Sequence, residues 1–318
     1  MVMLASLGVL LVLLYVVLAV VVAHLFTTPR RMRSSVHKEA RYERVQFCAR
    51  GESLQLVASY HRTPDATGAV ILAHGRDSCR GDELRGTTLS LVLELASRGL
   101  SVIMVDLRGH GESDPARLTF GRRERRDILG AVDFLLERGY QPGSIGVLGA
   151  SMGGVSAIAA AAEELAIGAL ITDSAFASLE GVLAAQFTRL TRLPSFVLAG
   201  ALLAARALTG EDLLRHAPAH NMVRLRGRPM LVIHAEHDPF VPVQHARDLA
   251  TAGQCDSWIT GGSRHLASFG AAGPEYLSLV GVFFARHLPA LAPVKAPVEA
   301  PVEASLITIA EPPMAAVA

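Results

Sequence analysis

The sequence predicts an α/β fold: a mostly parallel sheet with helices on both faces, interrupted by a helical insertion. Three observations predict it. From Gly68 to Asp173, short apolar runs alternate with longer segments of helical spacing, the signature of βα units around a parallel sheet. That alternation stops at Phe176 and resumes near Arg228. Within it, Gly149-Ala150-Ser151-Met152-Gly153 joins an apolar run to an Ala-rich helical run.

The chain opens on "MLASLGVLLVLLYVVLAVVVAHLF", and no Asp, Glu, Lys or Arg occurs from Met1 to Thr28. A helix of that length reaches ~36 Å, enough for a hydrocarbon core of ~30 Å. The spacing therefore predicts a transmembrane anchor over 1–28. A cleaved secretory signal competes with it, because Val21-Val22-Ala23 resembles a weak cleavage site. Against the signal, the apolar core exceeds the ~7–15 residues of a signal and no basic residue precedes it. Arg30, Arg31 and Arg33 follow directly, and the positive-inside rule then places the remaining chain in the cytoplasm. Residues 29–42 read as a basic juxtamembrane linker.

A domain-sized unit follows, over 43–290. "RVQFCARG" and "LQLVASYHR" read as an antiparallel pair joined at Gly51-Glu52. "GAVILAHG", "LSVIMVDLRG", "SIGVLGA" and "IGALITDSA" are buried strands, each too apolar for a one-sided sheet. "ELRGTTLSLVLELASRG", "RRERRDILGAVDFLLERG" and "MGGVSAIAAAAEEL" are the intervening helices, the first two closed by glycine. Residues 176–228 are helical and apolar and too long for a plain connection, so they read as a cap over the strand ends. "RPMLVIHAEHD" and "CDSWITGG" are the last strands, and "PVQHARDLATAG" and "PEYLSLVGVFFARHL" the last helices. From 291 to 318 the repeat "APVKAPVEAPVEAS" cannot form a core and reads as a disordered tail.

Composition narrows the function. Of 318 residues, 51% are hydrophobic and 19% charged, and the net charge is +1. That balance excludes a general nucleic-acid binder. The dense basic run "GRRERRD" reads as a solvated first helical turn, with anionic headgroups as the alternative contact. Three cysteines without CxxC spacing read as ordinary buried or partly buried thiols. "HAEHD" holds metal-ligand residue types, but one strand end cannot aim all four at one ion. No metal and no cofactor is expected.

The chemistry gathers on Ser151. Gly-x-Ser-x-Gly between a strand and a helix is the nucleophile-elbow pattern. Small neighbours let strand and helix close up, so the hydroxyl stands exposed at a helix N-terminus with its free N–H groups. A serine nucleophile needs a base, and the base an orienting acid. His265, in "TGGSRHLASFG", is the histidine in a loop after the last strand. Asp238 sits in the loop after the preceding strand, stiffened by Pro239 and Pro242. Glu236 and Asp173 are its rivals. The backbone N–H of Met152 and that of Arg76, after the first parallel strand, are the candidate oxyanion donors. Asp77 and Phe240 are expected at the substrate. His74 reads as a turn histidine bonded to backbone.

"AHG", "DLRGHGESD", "GASMGG", "AEHDPFVP" and the late His265 together resemble the α/β-hydrolase superfamily, over about Val45 to His287. "FGRRERRDILGAVDFL" and "DSAFASLEGVL" are similar to its prolyl-oligopeptidase-like and lysophospholipase-like branches. The resemblance implies an α/β-hydrolase fold, Ser151 as nucleophile, Asp238 as acid, His265 as base, and Arg76 and Met152 as the oxyanion hole. Two departures stand out: Arg264-His265 replaces the usual Gly-His, and "AEHD" replaces Gly-x-x-Asp. The expected activity is hydrolysis of a carboxylic ester or thioester through an acyl-enzyme, on lipid-like acyl substrates, at a membrane. A serine peptidase and a catalytically silent binding module are the competing readings.

Overall fold

A computed structural model describes residues 2–32, 34, 41–82 and 88–289. The tail expected over 291–318, most of the linker after Arg31, and the start of the helix expected from Glu83 lie outside the described residues.

In chain order the elements are α1 (Val2–Thr27), β1 (Glu43–Cys48), β2 (Gln55–His61), β3 (Gly68–Ala73), α2 (Thr88–Ser97), β4 (Leu100–Asp106), α3 (Glu124–Glu137), β5 (Ile145–Ala150), α4 (Met152–Glu163) and β6 (Ile167–Asp173). Then come α5 (Leu179–Thr191), α6 (Phe196–Thr209), a 3-10 turn (Leu213–Arg215), α7 (Pro218–Arg224), β7 (Met230–Ala235), α8 (Gln244–Gly253), β8 (Asp256–Thr260), α9 (Ser268–Ala272) and α10 (Pro274–His287). The sequence pattern does not reveal α9, which at five residues is too short to carry a helical period.

The eight strands form one sheet in the order β1-β2-β4-β3-β5-β6-β7-β8. β1 pairs antiparallel with β2, and β2 with β4; every other pairing is parallel. Every residue of β3, β4, β5 and β7 is buried, which explains why these strands read as unbroken apolar runs. One core layer lies under α3, α4 and α8 and holds Ile71, Val147 and Val232. The other lies under α2 and α10 and holds Leu72, Leu148 and Ile171. Alternate residues of each strand supply opposite layers, as a pleat requires.

The strand order reverses at β3, which has β4 on one side and β5 on the other. In open α/β sheets such a switch point leaves a crevice at the carboxyl ends of the strands. The loops after β3 and β5 therefore flank that crevice.

Two packing features differ from the sequence reading. α7, read as part of the insertion, packs on α4 and α8 beside the sheet. α1, read as a transmembrane anchor with no stated contact to the rest of the chain, packs its C-terminal half along α6. Its less exposed residues, Tyr15, Leu18, Ala19, Val22, Ala23 and Phe26, recur at helical spacing and mark one face. Residues 3–14 are exposed all round.

The basic run is consumed within the fold. Arg122 and Arg123 pair with Glu211 at 2.7 and 3.1 Å, Arg125 with Glu163 at 2.6 Å, and Arg126 with Glu52 at 2.8 Å. It ties α3 to α4 and to the segments on either side rather than presenting a bare cationic turn. Of the thiols, Cys79 is buried and Cys255 half-buried, but Cys48 is exposed, contrary to the sequence reading.

Candidate active site

Ser151 follows β5 directly and precedes α4. Its backbone takes φ 51° and ψ −113°, a conformation that costs a non-glycine residue of order 1–3 kcal/mol and persists only when its surroundings enforce it. They do so closely. The Ser151 N–H donates to the Asp173 carbonyl at 2.8 Å, and the Val155 N–H donates to the Ser151 carbonyl at 3.1 Å. A Cβ on Gly149 would lie 2.5 Å from the Gly153 carbonyl oxygen. One on Gly153 would overlap the Ala73 carbonyl oxygen and lie 2.5 Å from that of His74.

The glycines are thus what lets α4 press against the ends of β3 and β5. Gly153→Ala forces backbone against backbone, so it should destabilise the fold by about 3 kcal/mol, the upper end of ordinary overpacking. The check is a urea melt, whose midpoint should fall at unchanged slope.

The structure brings Ser151, His265 and Asp238 together from three loops. His265 Nε2 lies 2.8 Å from Ser151 Oγ, and His265 Nδ1 lies 2.6 Å from Asp238 Oδ2. The other carboxylate oxygen, Oδ1, accepts the N–H groups of Phe240 at 2.8 Å and Val241 at 3.0 Å. Burial pushes the Asp238 carboxyl up. The His265 hydrogen bond and charge, with the two backbone donors, outweigh it and hold the group below the ordinary Asp value. Asp238 is therefore an anion facing Nδ1–H, which leaves Nε2 free to accept the serine proton.

The rival carboxylates lie elsewhere. The Glu236 side chain is more than half exposed and points to His237. Asp173 is buried under α10, where Ser174, Ser268 and Tyr276 hydroxyls donate to it at 2.9, 3.1 and 3.0 Å. Burial pushes its carboxyl above the ordinary value against those bonds. Its contribution to the serine is through the backbone carbonyl alone.

The loop after β3 passes close to the serine, since a Cβ on Gly75 would meet Ser151 Cβ at 3.3 Å. Met152 opens α4, so its N–H has no intrahelical acceptor, and Arg76 N–H has no acceptor among the described residues. The next residue, Asp77, has φ 57° and donates its N–H to His110 Nε2 at 3.2 Å. His110 Nδ1 in turn donates to the Arg108 carbonyl at 3.0 Å. His74 repeats the device: Nδ1 donates to the Gly75 carbonyl at 2.7 Å and Nε2 accepts the Leu107 N–H at 3.1 Å. The two rings meet edge to face at 4.8 Å.

Two neutral imidazoles thus brace the loop that carries Arg76. The sequence reading anticipates His74 as a backbone-bonded turn residue but misses His110; its place between Gly109 and Gly111 was the available signal. Farther along the same loop, fully buried Arg80 is held by Asp106 and Glu112.

This bracing is sensitive to acid. Burial, with the neighbouring His110, lowers His74 from 6.5 to about 3. Between those values the unfolded chain binds a proton that the folded chain refuses, so stability is complete above pH 6.5 and declines as pH falls. His74 alone should contribute a slope of about 1.4 kcal/mol per pH unit in that window. Urea melts from pH 7 to 4 should show it, and His74→Gln, which keeps a donor and an acceptor, should flatten the profile.

Ser151, Met152, Gly75, Arg76 and His265 open onto a cavity of about 1390 Å³, larger than the ~300–1,000 Å³ of usual small-molecule pockets. Asp77 and Phe240, expected at the substrate, line this cavity, and the Phe240 ring lies 5.2 Å from that of His265. α5 and α6 supply most of the opposite wall, with Leu183, Phe187, Leu198 and Leu202. α1 supplies the rest, which the sequence reading misses.

A family model described as serine aminopeptidase, S33, matches residues 64–207. The curated relative "Uncharacterized protein YqkD" of Bacillus subtilis (strain 168) is 29% identical over 196 residues, 61% of this chain; the match spans 63%, under two thirds, of that relative. Among solved structures, the Pyrococcus furiosus esterase Pf2001 superposes with a TM-score of 0.68 at 21% identity, covering 83% of this chain and 99% of that one. The Pyrococcus horikoshii acylaminoacyl peptidase superposes with a TM-score of 0.58 at 17% identity, covering 80% of this chain and 43% of that one. With a mostly parallel eight-stranded sheet and a serine elbow at its switch point, the chain has an α/β-hydrolase fold.

Proposed function

We propose that the protein is a membrane-held serine hydrolase of carboxylic esters or thioesters. The observation that carries this reading is the unbroken hydrogen-bonded line Ser151–His265–Asp238 at the floor of an apolar cavity. Ser151 Oγ attacks the carbonyl carbon while His265 Nε2 takes its proton. The carbonyl oxygen becomes an oxyanion between the Arg76 and Met152 N–H groups, stabilised further by the N-terminus of α4. His265 then returns the proton to the leaving alcohol or thiol, whose bond to the acyl carbon breaks. A water, deprotonated by the same imidazole, attacks the acyl-enzyme, and the carboxylic acid leaves as Ser151 regains its proton. Asp238 fixes the tautomer and offsets the charge of the imidazolium.

α1 is the one helix among the described residues that is by itself long and apolar enough to cross a membrane, and Arg30 and Arg31 after it favour a cytoplasmic catalytic domain. The apolar cavity favours acyl esters over peptides. The test is hydrolysis of p-nitrophenyl esters of graded chain length beside aminoacyl p-nitroanilides. Esters should turn over and anilides should not; the reverse order would mark a peptidase.

A further inference from the structure

The end of α1 is built into the site. Leu18, Val22 and Phe26 line the same cavity as Ser151 and His265. Phe26 stacks on Phe120 at 4.5 Å, and the Leu118 N–H donates to the Thr27 carbonyl at 2.7 Å. Arg76 is also claimed by this helix. Its guanidinium donates to the Leu25 carbonyl at 3.0 Å and lies 5.6 Å from the Phe26 ring centre. Asp77 accepts the Arg30 N–H at 2.8 Å.

Higher up, the Tyr15 hydroxyl donates to the Phe196 carbonyl at 3.2 Å, and Gly200 lets the two helices close there, since a Cβ would lie 2.5 Å from that hydroxyl. From Tyr15 to Thr27 the helix runs ~18 Å against the protein. The exposed stretch from Met3 to Leu14 is also ~18 Å, too short alone for a ~30 Å hydrocarbon core. If α1 crosses the bilayer, part of α6 has to sit in the hydrocarbon with it. Leu190, Phe196 and Leu203, exposed on α5 and α6, suit that position.

We propose that the last three turns of α1 form a wall of the acyl cavity, and that the enzyme draws a single-chain acyl ester from the bilayer leaflet that α1 and α6 share. This rests on the serine hydrolase reading and names its substrate class. The cavity matches such a molecule: an apolar arm between α1, α5 and α6, and a polar end at Arg30, Arg76, Asp77 and Asp82.

The test uses the full chain in phosphatidylcholine–phosphatidylglycerol vesicles. In Val22→Trp, the ratio of laurate to butyrate ester turnover should fall tenfold or more. Val17→Trp, on the exposed side of α1 and outside the cavity, should leave both rates as in wild type. An unchanged ratio in Val22→Trp overturns the proposal.

A second readout needs no turnover. In Ser151→Ala protein, a monoacyl ester with a diazirine at its chain end should crosslink to Leu18, Val22 and Phe26 and spare Val16, Val17 and Val20. Equal marking around the helix is ordinary bilayer labelling and overturns the proposal. Selective marking by a wild-type chain that hydrolyses no ester would support the cavity wall and sink only the hydrolase reading.

Discussion

Ser151→Ala is expected to lower turnover of a p-nitrophenyl ester on the order of 10⁶-fold, about 8 kcal/mol of transition-state stabilisation. The size follows from what disappears. In the proposed mechanism the hydroxyl forms the covalent bond to the acyl carbon, and without it His265 Nε2, 2.8 Å away in wild type, has no nucleophile of the chain to deprotonate. What remains is binding in the cavity and the N–H groups of Arg76 and Met152. The substitution leaves the packing of α4 in place, since the close contacts there belong to Gly149 and Gly153. Circular dichroism should therefore match wild type while turnover falls to the residual level. A loss of activity with loss of fold would not be the predicted result.

Asp238→Asn is expected to lower kcat on the order of 10⁴-fold, the scale for a triad held in the wrong tautomer. The reason lies in the two oxygens. Oδ1 accepts two backbone N–H groups, from Phe240 and Val241. An amide in this place must give its oxygen to those donors, which turns its NH₂ toward His265 Nδ1. The imidazole then accepts at Nδ1 and carries its proton on Nε2, where it can no longer take one from Ser151. KM should change little, because Asp238 does not line the cavity. Measuring kcat and KM separately checks this, and Asp173→Asn should not reproduce it, since the Asp173 side chain bonds Ser174, Ser268 and Tyr276 rather than the imidazole.

The residues placed beside one another here were legible to different degrees, for physical reasons. The central strands were legible because burial on both faces leaves no polar residue to interrupt the run, as in "GAVILA" and "IGVLGA". The elbow was legible because steric exclusion writes itself as glycine: no other residue fits where Gly153 meets the Ala73 carbonyl. His265 was readable from its place in a loop after the last strand.

The seat of α1 was not legible. Its packed residues, Leu18, Ala19, Val22 and Ala23, are of the same types as its exposed ones, so an all-apolar helix hides which face touches protein. Nor did "GRRERRD" reveal its carboxylate partners, because Glu52, Glu163 and Glu211 come from distant parts of the chain. The His74–His110 pair is similar: neighbouring glycines mark each as a turn histidine, but only the β3–β4 adjacency sets their rings 4.8 Å apart.

The most direct measurement of the central claim is covalent labelling of the full-length chain with a fluorophosphonate, followed by intact mass and peptide mapping. The account predicts one adduct per chain, on the peptide that carries Ser151, absent in Ser151→Ala and slow to form in Asp238→Asn. A wild-type chain that takes no label, or one that labels equally without Ser151, would contradict it.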